Sequence, residues 1–238
     1  MLERDIKIVR IIRKKVKCSY KYYVQISAEG APAVKRDVDG SLVHPISDGK
    51  MGIFVDINSL TIVSADQCRT IDLSFDNVYA KEIKEISEYL NRSRRINNPE
   101  NFTVNGRIKT SEDGYVWNYS HKYHKAMDRM AELKRKAAEQ RRIRSFSIAN
   151  EVLSIGSNIC VNEYLYDYVR RVNKDDYHTK RRGAGKSIEN NAPAQILQII
   201  DNKLEASGRH KMRRVKLVAD KNLTDYRKKY AKELFDLI

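Results

Sequence analysis

Met51-Gly-Ile-Phe-Val-Asp-Ile-Asn-Ser-Leu-Thr-Ile-Val-Ser-Ala65 is an apolar passage interrupted by one carboxylate and one pair of turn residues. It reads as a buried strand, a tight turn at Asn58-Ser59 and a second strand from Leu60 to Ser64. Asp56 ends the first apolar run. An isolated charge on a buried strand is costly, so Asp56 should be neutralised, paired with a cation, or set against a metal. The plainer alternative is a strand-end aspartate that caps the turn.

Working outward, Arg69 to Phe75 alternates apolar and polar residues and suits a third strand. Upstream, residues 6–28 read as a β-hairpin. Ile6, Ile8, Val9, Ile11 and Ile12 precede a basic turn around Arg13-Lys14-Lys15, and Tyr20, Tyr22, Val24 and Ile26 share one face of the return strand. Glycine and proline make residues 28–50 loop-like. From Val78 the apolar period becomes helical, with Ile83, Ile86 and Leu90 on one face, and this helix runs into Asn91-Arg-Ser-Arg-Arg-Ile-Asn-Asn-Pro99. Residues 97–114 read as an ordered loop. Tyr119 to about Gly156 should be mostly helix, with Tyr123, Met127, Met130 and Leu133 as its apolar stripe. Ile159–Leu165 is a short strand with Glu163 near its end, and residues 164–185 read as a polar, basic loop. Ser187–Ser207 is a helix stopped by Gly208. Arg214–Ala219 is a last strand, and Leu223–Ile238 a terminal helix.

The chain has 238 residues, enough for one sizeable core, or for one core plus a small satellite domain. Its 46 Lys+Arg against 31 Asp+Glu give a net charge of +15, which points to a polyanionic partner, first of all nucleic acid. The densest basic clusters are Arg92, Arg94 and Arg95, then Lys134, Arg135, Lys136, Arg141, Arg142 and Arg144 on the long helix, all suited to phosphate contacts. A merely basic, solvated surface is the competing account. No run of 18 apolar residues predicts a membrane span, and the N-terminus lacks a signal core. Cys18, Cys68 and Cys160 lie far apart with no C-x-x-C pair, which predicts neither a zinc ribbon nor a disulfide framework and suits a reducing cytoplasm.

Two motifs are decoys. Gly183-Ala-Gly-Lys-Ser187 resembles the tail of a phosphate-binding loop, but the first glycine would fall on Lys180. His121 and His124 lack a third ligand and read as an exposed helical pair. The carboxylates carry more. Asp56, Glu163 and Asp220 each follow or end an apolar strand. If those strands are neighbours, the acids converge at one end of a sheet. Such a cluster needs a cation, and oxygen donors favour Mg²⁺ or Mn²⁺, the ions of two-metal phosphodiester cleavage.

Several ordered blocks resemble the C-terminal half of the TnpB family, the transposon-encoded RNA-guided nucleases related to type V CRISPR effectors. Glu29-Gly-Ala-Pro-Ala-Val-Lys35 and Gly52-Ile-Phe-Val-Asp-Ile-Asn-Ser-Leu-Thr-Ile-Val63 are similar to the approach to, and the body of, the first RuvC motif. Arg92-Ser-Arg-Arg-Ile-Asn-Asn-Pro-Glu-Asn101 with Asn105-Gly106 resembles the D-R-S-R-R-x-x-N-P-x-N loop, Asn91 standing where Asp is usual. Trp117-x-x-Ser120-x-x-Tyr123, Leu133-Lys-Arg135 and Ala149-Asn150 through Gly156 lead to the second motif at Glu163. Gly185-Lys-Ser187, Ala192-Pro193 and Lys203-x-x-x-x-Gly208 match the helix beyond it.

The resemblance implies an α/β fold: an RNase H-like RuvC nuclease core at 49–238 with a helical insertion at about 78–156, after an N-terminal wedge-like β-hairpin segment at 1–48. It implies an RNA-guided DNA endonuclease with Asp56, Glu163 and Asp220 on Mg²⁺ and with guide RNA and DNA as partners. Asp220-Lys-Asn222 resembles the third motif, with Asp225 as the alternative acid. The family's recognition segments and zinc ribbon have no counterpart here, so no zinc is expected, and a separate chain replacing the N-terminal half is an expected partner. Gly52–Asp56 is longer than the family's Gly-apolar-Asp run, and Asn58 stands in place of a glycine. These departures favour the alternative, a catalytically degenerate, transposon-derived nucleic-acid-binding protein.

Overall fold

The computed structural model describes residues 5–16, 19–30, 35–110, 114–163, 191–217 and 224–238. Two compact units divide them, Met1–Glu29 with Asp76–Gln140 and Gly30–Phe75 with Arg141–Ile238. The boundary expected at residue 48 therefore falls inside the second unit, and the hairpin groups with the helical insertion.

The second unit is built on a mixed sheet of five strands: β3 (Lys50–Val55), β4 (Ser59–Ser64), β5 (Cys68–Asp72), β6 (Asn158–Asn162) and β7 (Arg213–Val215). Their spatial order is β5-β4-β3-β6-β7. β4 runs antiparallel to both β3 and β5, whereas β6 is parallel to β3 and β7 parallel to β6. β3 is central because its apolar run covers both faces, and Met51 through Val55 are all buried. On one face Met51, Ile53, Val55, Ile62, Ile159 and Val161 pack against the end of α2 (His121–Ile155) and against α3 (Pro193–Ala206). On the other face Phe54 and Cys160 meet Tyr230, Ala231 and Leu234 of α4 (Tyr226–Asp236).

α4 lies so flat on β3 that only glycine fits at position 52. A Cβ there would enter the backbone of Ala231 and Phe235 and stand 2.9 Å from the carbonyl carbon of Leu234. α3 begins with Pro193 in its first turn and ends at Gly208, whose φ of 77° and the Arg209 N–H bond to the Leu204 carbonyl make the expected C-terminal stop. Gly156 closes α2, also as expected.

The first unit holds β1 (Ile6–Val16), β2 (Ser19–Ala28), α1 (Ala80–Asn97), a short 3₁₀ turn (Pro99–Asn101) and the first part of α2. β1 and β2 form an antiparallel hairpin whose register puts Val9, Ile11, Tyr20, Tyr22, Val24 and Ile26 on one exposed face. Lys15 secures it to α2 through Asp128 at 2.5 Å.

Several boundaries differ from expectation. Arg13-Lys14-Lys15 is not the turn, because β1 continues through it to Val16; a two-stranded ribbon wet on both faces tolerates charge along its length. The third core strand stops at Asp72, whose side chain accepts both the N–H and the hydroxyl of Ser74 and bends the chain away. β6 spans Asn158–Asn162, the expected end at Leu165 lying outside the described residues, and β7 spans three residues beginning at Arg213. Met127 is exposed, so the stripe on α2 rests on Tyr123 and Leu133, with Met130 half-buried.

Candidate functional site

Asp56 follows β3 directly, and its N–H donates to the Ser59 carbonyl to close the β3–β4 turn. Its Oδ1 accepts the Ile57 N–H at 2.8 Å, the bond of a turn-capping aspartate. Its Oδ2 accepts the Tyr226 hydroxyl at 2.7 Å and a guanidinium N–H of Arg227 at 3.2 Å. Arg227 Nε also donates to the Tyr226 hydroxyl, and Tyr226 meets Phe54 edge-on at 5.8 Å. Asp56 is half-buried, and of the fates open to such a carboxylate it takes pairing with a cation. Burial, the Asp56 hydrogen bond and the Asp56 charge together push the Tyr226 phenol above its ordinary pKa. Burial is the strongest single influence on Arg227 and opposes its charge. Tyr226 and Asp56 together outweigh it and hold the guanidinium above its ordinary value.

Asn162 fixes the neighbouring strand end. Its buried amide accepts the Val55 N–H at 2.6 Å and donates to the Val55 carbonyl at 3.0 Å, doing for β3 and β6 what one more rung of the ladder would do. Asp56 and Glu163, each the next residue along, are thereby set at the same end of adjacent parallel strands. Glu163 is half-buried, and its N–H donates to the Val215 carbonyl at 2.7 Å. Asn191 braces the β3–β4 turn from below. Its amide donates to the Ile57 carbonyl and to Asn58 Oδ1 and accepts the Phe75 N–H.

Asp220 lies outside the described residues, as does the Gly183–Ser187 decoy. Asp225 heads α4 with φ of 56° and is exposed. Among the described residues no three His, Cys, Asp or Glu side chains gather closely enough to hold a metal. Asp225 therefore does not complete a trio with Asp56 and Glu163. Asn162, Asn191, Tyr226 and Arg227 carry no motif. The one signal available was a polar residue ending the apolar run Ile159-Cys-Val-Asn162.

The basic residues divide by what they touch. Arg92 and Arg95 are exposed on α1. Arg94 is half-buried, lying 5.0 Å from the Trp117 ring and 6.0 Å from that of Phe102, and its Nε is buried without a hydrogen-bond partner. On α2, Lys134, Arg135 and Lys136 are consecutive and so point roughly 100° apart rather than along one face. Lys134 is exposed and Lys136 half-buried, whereas Arg135 grips Glu132 through two bonds of 2.8 and 2.9 Å. Arg141 is half-buried and Arg142 lies over Phe146 at 5.7 Å. Arg144 donates to the backbone carbonyls of Asp72 and Ser74 and so ties α2 to the end of β5. His121 and His124 are exposed, the latter edge-on to Tyr119.

A scan against protein-family models finds no match, and neither does a search of curated proteins.

Proposed function

We propose that this chain carries the RNase H-like RuvC domain of a TnpB-like, RNA-guided DNA endonuclease. The observation that carries the reading is the placement of Asp56 and Glu163 at one end of two adjacent parallel strands, held in register by Asn162. The strand order supports it too. In chain order the five core strands stand 3-2-1-4-5, with the second antiparallel to the first and the fourth and fifth parallel to it, a mixed α/β sheet compatible with that core. In the proposed complex the exposed Arg92 and Arg95 meet nucleic-acid backbone, and sequence is read by pairing with the guide.

Asp56 and Glu163 supply the oxygen chemistry that Mg²⁺ prefers. Fit is another matter. Both Asp56 oxygens already accept hydrogen bonds, and no third acid joins the pair among the described residues. As arranged, these residues do not compose a metal site, and no hydrolytic step follows from them. That observation favours a second reading, a nucleic-acid-binding protein on the same core without nuclease activity, in which Arg227 occupies the place of a cation.

One experiment separates the two readings. Labelled single-stranded DNA is incubated with the purified protein and Mg²⁺, wild type beside Asp56→Ala and Glu163→Ala. Cleavage lost in both variants supports the nuclease. Binding that weakens with salt, without cleavage by the wild type, leaves the binding protein.

A further inference from the structure

Residues 114–119 form an extended segment held by side-chain amides instead of a sheet. The buried Asn98 accepts the Asn118 N–H at 2.5 Å and donates to the Asn118 carbonyl at 3.0 Å, and Asn101 donates to the Val116 carbonyl at 2.8 Å. Alternation along an extended chain then turns Tyr115, Trp117 and Tyr119 to the same side. Their rings follow one another at 5.8 and 6.4 Å between centroids, and Trp117 and Tyr119 are parallel to within 4°. Tyr123 stacks behind Tyr119 at 4.4 Å, and Arg94 lies against Trp117. Yet the row is not sealed, for Tyr115 remains 36% and Tyr119 37% exposed. The exposed Arg95 lies 6.0 Å from the Phe102 ring, which meets Trp117 at 5.8 Å, and Glu100 is the sole acid among the described residues of 99–119.

Rigid aromatic rings with partly exposed edges, beside an arginine, suit one ligand chemistry. A nucleobase offers a flat π-face whatever its identity, and its phosphate offers a negative charge for the exposed Arg95 guanidinium to meet. Paired bases hide those faces; unpaired ones present them. We propose that Tyr115, Trp117 and Tyr119 form a comb that stacks the unpaired bases of a single-stranded nucleic acid. This rests on the reading of the chain as a nucleic-acid protein and names the strand state that this surface takes.

Trp117 is the single tryptophan of the chain, so its fluorescence reports on the comb alone. The full-length protein is titrated with oligothymidylate and oligouridylate of about a dozen nucleotides, the length that single-strand sites commonly cover, and with a duplex of equal length. Both single strands, or one of them, should quench Trp117, and the duplex should not; the stronger quencher assigns DNA or RNA. Tyr119→Ala should weaken single-strand binding about tenfold, the loss of one base–aromatic stack, and Tyr119→Phe should restore it. Salt-sensitive single-strand binding without quenching, or with Tyr119→Ala equal to wild type, overturns the comb and leaves the nucleic-acid reading standing. No binding to any of the three probes overturns both.

Discussion

Gly52→Ala is the most searching test of how the sheet is covered. The added methyl group would enter the backbone of Ala231 and Phe235 and sit 2.9 Å from the Leu234 carbonyl carbon. The carbonyl oxygen of Ala231 and the amide nitrogen of Phe235 lie closer still, so restoring ordinary contact needs α4 to retreat by about an ångström. No side chain can rotate out of the way, since every obstructing atom is main chain. If α4 stays docked under strain, overpacking costs roughly 1–3 kcal/mol. If it lifts, Phe54, Tyr230 and Leu234 lose their burial, and each fully buried side chain of this size is worth about 1.5–3 kcal/mol. The expected loss, roughly 1–3 kcal/mol under strain and more if α4 lifts, is large against the roughly 5–15 kcal/mol that typically holds a domain together. The assay is urea unfolding followed by circular dichroism, comparing midpoints at unchanged slope. A loss below about 1 kcal/mol would refute the close approach of α4 to β3 and, with it, the delivery of Tyr226 and Arg227 to Asp56.

Further outcomes follow from single contacts. Asn162→Ala strands the N–H and carbonyl of Val55 in the core and should cost about 2–4 kcal/mol in the same unfolding assay. The Tyr226 phenol has a raised pKa in the fold, so its contribution to stability is complete below the ordinary value of 10.0 and disappears as pH rises through the elevated one. Melting temperatures measured between about pH 9 and pH 11 should therefore fall, and Tyr226→Phe should make the fall shallower, with the part due to the likewise raised Tyr123 remaining. Asp201→Ala removes a buried carboxylate that accepts the Met212 N–H at 3.0 Å and an Arg214 N–H at 2.6 Å; a loss of about 2–3 kcal/mol, seen as an early urea midpoint, is expected from freeing β7.

What could be read from the residues follows from where the physics is local. The runs around Met51–Val55 and Ser59–Ser64 announce buried strands because burial on both faces leaves no room for alternation. The glycine ends of α2 and α3 are equally local. Strand order is not, since it depends on which faces find each other across more than a hundred residues. Asp56 shows the limit clearly. Its need for a partner was legible in the sequence, but the partner, Arg227, lies 171 positions away at the start of an ordinary-looking basic helix. The basic cluster on α2 shows a related limit. Composition counts cations and is silent on which of them are already engaged, Arg135 by the neighbouring Glu132 and Arg144 by backbone carbonyls.

That last pair has a bearing on how the chain tolerates change. Arg144→Lys would leave the net charge of +15 untouched, and any long-range attraction for a polyanion with it. It would also replace a planar fork that reaches two carbonyls, those of Asp72 and Ser74, with a single ammonium nitrogen on a flexible stem. Arginine and lysine thus carry the same charge in this molecule and are distinct wherever a guanidinium serves as mortar between helix and strand. Two homologous chains of identical charge could then share a partner and differ in whether the sheet stays closed at its edge.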